Sequence, residues 1–156
     1  MKVYLVQHAV AFKKEENPER PITEKGRADI KKTATFLGKS LQTNATQIFH
    51  SSKLRAAETA AILEAAIATA AEPAIDDDLK AKADPKAWEK RLTTLEGDQV
   101  LVGHLPHLQK LASLLLTGDP DSKMVEFTNA GIVCLQNENG NKQKWVLLWA
   151  VRPEFF

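Results

Sequence analysis

An alternation of short apolar runs with amphipathic stretches predicts a three-layer α/β/α sandwich with a mostly parallel central sheet. Three observations carry the prediction. Residues 2–6, 46–50 and 99–102 are strand-length apolar runs rich in β-branched and aromatic side chains. Stretches of helical periodicity lie between them, so consecutive strands are joined by crossovers and run parallel. The two last apolar runs, 132–135 and 145–151, sit close enough in sequence to form a hairpin and supply an antiparallel edge. With 156 residues and no shift of composition, residues 1–156 read as a single domain, a size that buries about 70% of the extended chain's surface.

The first run begins almost at the amino end and stops at Gln7-His8. Residues 11–21 are polar and aperiodic, a surface loop over the end of that strand. Thr23 then caps a helix whose apolar positions Ile30, Ala34 and Leu37 recur at four and three residues, ending near Gly38. Gly26 lies three residues inside, where glycine costs about 1 kcal/mol against alanine; close approach of backbone or ligand, or simple tolerance, are equal readings. After the strand at 46–50, Ser51-Ser52 turns into an alanine-rich helix from Lys53 to about Ala70, with Leu54, Ala57, Ala61 and Ala65 on one face and Arg55 and Glu58 within reach of each other. Pro73 and Asp76-Asp77-Asp78 interrupt regular structure around a brief edge strand at Ala74-Ile75. Asp84-Pro85 reads as an N-cap followed by a first-turn proline, opening a helix with Trp88, Leu92 and Leu95 inward. The strand at 99–102 ends at Gly103-His104, and Leu105-Pro106 opens a helix that buries Leu108, Leu111, Ala112 and Leu115 before Gly118. Residues 136–142, with Asn139-Gly140 inside, are the expected hairpin linker.

Composition excludes several classes. Lys plus Arg number 21 and Asp plus Glu 20, giving a net charge of +1; no global field draws the chain to nucleic acid or an anionic membrane, and any anion selectivity has to be local. The single cysteine, Cys134, lies in an apolar run and reads as a buried inert thiol. Without a disulfide, a secretory leader or an 18-residue apolar segment, the expected setting is cytoplasmic. Nothing in the pattern demands more than a monomer.

Two of the four histidines, His8 and His104, directly follow core strands, and Arg55 opens the helix after a third. In a parallel sheet these three ends share one rim. A neutral imidazole can attack phosphorus and accept a phosphoryl group, a second can hydrogen-bond the transferred oxygens, and a guanidinium fork fits phosphate oxygens. This scheme calls for no metal and no cofactor. The histidines, His50 and His107 included, show no metal-binding spacing.

Four blocks, Val6-Gln7-His8-Ala9, Arg20-Pro21-Ile22-Thr23-Glu24-Lys25-Gly26, Ser51 through Ala60, and Val102-Gly103-His104-Leu105-Pro106, resemble in order the histidine phosphatase superfamily with its phosphoglycerate mutase-like fold. They are most similar to its small SixA-type phosphohistidine phosphatases. The resemblance implies that His8 is the phosphorylated nucleophile, Arg55 a phosphate clamp and His104 the second pocket histidine, with Arg20 reaching phosphate or substrate polypeptide. It implies a phosphorylated protein as partner, a histidine phosphotransfer domain among the candidates, with a phosphate-like oxyanion in the pocket. The chain lacks the long inserts of the larger mutases and sugar-phosphate phosphatases, so an open pocket is expected.

The match departs from the family's Arg-His-Gly at two positions. Gln7 replaces a charged clamp with a neutral one, and loss of a transition-state donor costs about 2.7 to 4 kcal/mol. Ala9 adds a Cβ at the turn, harmless unless φ is positive. Both bear on phosphate or substrate binding, and Gln7 opens the alternative of a phosphatase-like protein that binds a phosphorylated ligand without turnover. No carboxylate stands out as the general acid; Asp78 and Asp84 are the candidates, against their readings as a solvated loop and a helix cap.

Overall fold

A computed structural model describes residues 1–138 and 141–156, with the side chains of Glu138 and Lys142 not described. Its main sheet has six strands in the order β5-β3-β6-β1-β7-β8. These are β1 (Lys2–Gln7), β3 (Gln47–His50), β5 (Ala74–Ile75), β6 (Gln99–Gly103), β7 (Ile132–Glu138) and β8 (Asn141–Val151). β5, β3, β6 and β1 are mutually parallel; β7 and β8 run antiparallel. This is the mostly parallel sheet expected, with its antiparallel edge.

Strand alternation divides the core into two layers. From β1, Tyr4 and Val6 point to one face, where α1 (Glu24–Thr35) contributes Ile30 and Ala34 and α2 (Leu54–Glu64) contributes Ala56, Ala60 and Leu63. Val3 and Leu5 point to the other, against Trp88 and Leu92 of α3 (Pro85–Leu92) and Leu108, Leu111, Ala112 and Leu115 of α4 (His107–Thr117). The caps follow the sequence. Thr23 accepts from the Gly26 amide at 3.0 Å, Asp84 accepts from the Lys86 amide at 3.0 Å, and α4 closes at Gly118 with φ of 79°.

Gly26 is explained by backbone approach. A Cβ there would stand 2.2 Å from the Val10 carbonyl oxygen, in the segment leaving His8. The first turn of α1 is thereby pressed against the chain that carries the histidine.

α2 departs from expectation. It ends at Glu64, short of Ala70, because Ala68–Thr69 form strand β4, paired in parallel with β2 (Asn44–Ala45) in a separate two-stranded sheet. Its inward face is Ala56, Thr59, Ala60 and Leu63, whereas Leu54 is exposed and Ala57, Ala61 and Ala65 lie off the core. Alanine is hydrophobic enough to satisfy either face, so an alanine-rich helix carries a weak directional signal. Glu58 pairs with Arg27 at 3.3 Å and accepts from the Ile22 amide at 2.7 Å, leaving Arg55 to turn elsewhere.

The terminal hairpin is longer than predicted, since β7 and β8 take in most of residues 136–142. The proposed Asn139-Gly140 turn lies outside the described residues. Within the pair, Cys134 is opposite Trp149 and Leu135 opposite Leu147, so Leu148 is an extra, bulged residue. The bulge changes the phase of alternation: Trp145 packs in the layer with α3 and α4, while Trp149 and Val151 pack in the layer with α1 and α2. Cys134 is fully buried, and burial pushes its thiol up to about 12, consistent with an inert packing role.

Candidate active site

Three parallel strand ends meet at one rim. The register pairs Gln7 of β1 with Gly103 of β6, and His50 of β3 with Val102, so the next residues, His8, His104 and Ser51, emerge together. The His8 amide donates to the Gly103 carbonyl at 3.1 Å and the Ser51 amide to the Val102 carbonyl at 3.3 Å, extending the ladders just past the strands. The His8 and His104 rings lie 4.9 Å apart between centroids, tilted by 53°. Arg55, one residue into α2, brings Nε to 3.3 Å from His8 Nε2 and a terminal nitrogen to 3.3 Å from His104 Nδ1. One guanidinium thus touches both rings.

The ring of His8 has a defined tautomer. Nδ1 lies 2.8 Å from the Ala9 carbonyl, which can only accept, so the proton sits on Nδ1 and the Nε2 lone pair is exposed to Arg55 and the pocket. Ala9 is held in turn: its amide donates to Thr59 Oγ1 at 3.0 Å, and Thr59 Oγ1 donates to the Arg55 carbonyl at 2.7 Å. Thr59 therefore ties the turn bearing the nucleophile candidate to the helix bearing the guanidinium. Asn129 completes the mount, its amide donating to the His8 carbonyl at 2.8 Å.

Gln7 lies in the strand, its carbonyl accepting from the Ala130 amide at 3.0 Å, and its Oε1 is buried with no hydrogen-bond partner among the described residues. Ala9 is fully buried and stays outside the left-handed region, so its Cβ introduces no backbone strain. Its amide and carbonyl are both committed, which makes it a support of His8. Arg20, at φ of 54°, is anchored through Nε to the Phe12 carbonyl at 2.9 Å, and its charge is felt at both His8 and Arg55. Asp84 is occupied as the cap of α3. Asp78 lies exposed in the short 3-10 turn Asp77–Leu79, and no hydrogen bond or ion pair joins either aspartate to His8, Arg55 or His104.

The electrostatics favour neutral rings. Burial first, then the Arg55 and Arg20 charges, push His8 down to about 4 against the opposing bond to Ala9. Burial, His8, Arg55 and Lys53 push His104 down to about 3. His107, 1% exposed at the start of α4, is pushed down to about 4 by burial, with Asp78 and Asp84 pulling the other way. In the unfolded chain these groups take up protons near 6.5, before the folded protein can. Stability is therefore expected to be constant between pH 7 and 8 and to fall as pH drops from about 6.5 towards 4. Urea unfolding between pH 4.5 and 8 measures it; a flat profile across that window would refute the shifts.

Ser51, Thr59 and Asn129 were not singled out by sequence reasoning. The first two stand inside the Ser51–Ala60 block; Asn129 lies in an aperiodic stretch with no local signal. Among the described residues no group of three His, Cys, Asp or Glu side chains could hold a metal ion, and no helix is long and apolar enough to cross a membrane.

No sequence family and no curated protein matches this chain. Solved structures do. Histidine phosphatase SixA in complex with tungstate superposes with a TM-score of 0.85 at 19% identity, over 99% of each chain. A protein of Agrobacterium tumefaciens proposed to be the phosphohistidine phosphatase SixA gives 0.73 at 20% identity over 97% of each. A phosphoserine phosphatase variant from Entamoeba histolytica with phosphoserine bound gives 0.66 at 15% identity, over 96% of this chain and 95% of that one. The chain has the histidine phosphatase fold, the three-layer, phosphoglycerate mutase-like arrangement that its four sequence blocks resemble. Within that fold its architecture is similar to that of SixA along nearly the whole length of both chains.

Proposed function

We propose that this protein is a phosphatase that works through a phosphohistidine intermediate on His8, with protein-borne phosphohistidine as its substrate. The observation that carries the reading is the bridged triad, in which one guanidinium reaches His8 Nε2 and His104 Nδ1, each at 3.3 Å, while His8 Nδ1 is locked to a carbonyl. A phosphoryl group placed there would take over the guanidinium's hydrogen bonds, with phosphorus facing the Nε2 lone pair. Nε2 attacks phosphorus and the bond to the substrate's nitrogen breaks. That nitrogen leaves with a proton from solvent or a nearby acid. Water then attacks the phosphorylated His8, the P–Nε2 bond breaks, and phosphate departs, with the water's proton passing to solvent.

A nitrogen leaving group asks less of a general acid than an alkoxide does. That suits a site where Asp84 is engaged as a cap and Asp78 is joined to no member of the triad. Release of phosphate from a phosphohistidine protein, measured against His8→Ala, tests the reading; equal rates would end it. The SixA and phosphoserine phosphatase structures support phosphate chemistry on this fold. The substrate class rests on the resemblance and on the missing inserts.

Gln7 favours a second reading, a protein that binds a phosphorylated ligand without turnover, because it supplies no charge beside the nucleophile. Calorimetry with phosphate or a phosphopeptide separates the two. The binder reading requires affinity that His8→Ala barely alters, together with no hydrolysis. Under the phosphatase reading, Gln7→Arg is expected to raise turnover at least about tenfold, since a charge-assisted donor replaces a neutral one. Unchanged turnover in that variant would show that position 7 does not limit the reaction.

A further inference from the structure

Most partners in the pocket have a single hydrogen-bonding sense. The Ala9 carbonyl only accepts, and Arg55 only donates. Ser51 is different. It is fully buried at the end of β3, with Oγ 2.6 Å from His104 Nε2, and a hydroxyl can either donate or accept.

His104 presents Nδ1 to the pocket and Nε2 to Ser51. Because a guanidinium N–H donates to Nδ1, that nitrogen is the acceptor and the ring proton sits on Nε2, donated to Ser51 Oγ. A phosphoryl oxygen is itself an acceptor. For His104 to hold one, Nδ1 must carry a proton. Adding a second proton would create a buried imidazolium beside Arg55 and Lys53, whose charges oppose it. Exchanging tautomers avoids the charge: Nδ1 takes up one proton from the pocket's solvent and the proton on Nε2 is returned to that solvent, so the ring gains none. The ring remains neutral, and Ser51 turns its O–H to donate to Nε2.

We propose that Ser51 is a positioning residue whose reversible hydroxyl lets His104 exchange tautomers when an oxyanion enters, so that a neutral imidazole donates to the transferred phosphoryl group. The inference rests on the phosphatase reading for the presence of an oxyanion, but its deciding measurement, the His104 tautomer, needs no turnover.

The test is histidine ring NMR on nitrogen-15-labelled protein at pH 7, titrated with tungstate. The free protein should show His104 protonated on Nε2 alone, and the saturated protein on Nδ1 alone. Ser51→Ala should lower kcat by about tenfold to a hundredfold, the scale of one buried hydrogen-bonding group left unsatisfied. Its His104, held at Nε2 in neither tautomer, should give a broadened Nδ1–H signal with tungstate, and Ser51→Thr, which retains the hydroxyl, should restore both. A bound His104 protonated on both nitrogens, or an unchanged tautomer with His8 and Arg55 responding, would overturn the Ser51 role while leaving the phosphate pocket intact. Tungstate that perturbs neither His8 nor His104 would remove the pocket and this inference together. Should Ser51→Ala fail to fold, the wild-type spectra still decide.

Discussion

His8→Ala is expected to abolish hydrolysis, by about 10⁴-fold or more, and to leave no acid-labile phosphoprotein on rapid quenching. The size follows from what the residue is proposed to do. A residue that only bound phosphate could be replaced at a cost of a few kcal/mol by Arg55 and His104, whereas a nucleophile leaves no second route. The neighbours should tolerate the change, since the Ala9 amide remains bonded to Thr59 and the Asn129 amide to the backbone carbonyl at position 8. Tungstate should therefore still bind, more weakly, through Arg55 and His104. Phosphate release within tenfold of wild type would exclude His8 as the nucleophile.

Arg55→Lys is expected to lower kcat by about a hundredfold to a thousandfold, with a parallel loss of tungstate affinity. Charge is conserved in this variant and geometry is not. The guanidinium contacts two rings through two different nitrogens, Nε to His8 and a terminal nitrogen to His104. An ammonium on a flexible stem offers one point charge, so it can serve one of these directions at a time. Activity within about threefold of wild type would mean that charge alone suffices at this position. The fork would then not be what organises the pocket. Together the two variants separate covalent catalysis from anion holding, because the first removes hydrolysis while retaining weakened binding and the second lowers both in parallel.

Much of the layer architecture is legible in the sequence. The parallel strands were marked by short apolar runs, and the faces of α1, α3 and α4 by large side chains at helical spacing: Ile30, Trp88, Leu92, Leu108, Leu111 and Leu115 are all buried. Large apolar groups face inward because exposing them costs on the order of 1.5 to 3 kcal/mol each, so their spacing is a physical record of the core. Alanine carries too little of that energy to mark a face, so the alanine spacing of α2 points to the wrong face and runs past the helix end at Glu64. A bulge at Leu148 is likewise invisible to an alternation rule that assumes an unbroken period of two.

The sequence by itself determined that His8 and His104 would end core strands and that Arg55 would open a helix, because hydrophobic runs and turn residues place strand ends locally. Only the tertiary structure decided that one guanidinium spans both rings, that Thr59 and Asn129 mount the His8 turn, and that Ser51 faces His104 at 2.6 Å. The physical reason is the range of the interactions. Apolar patterning is repeated over many residues and survives in one dimension. A hydrogen bond between residues 47 to 121 positions apart depends on strand register and helix rotation, which leave no periodic trace in the chain.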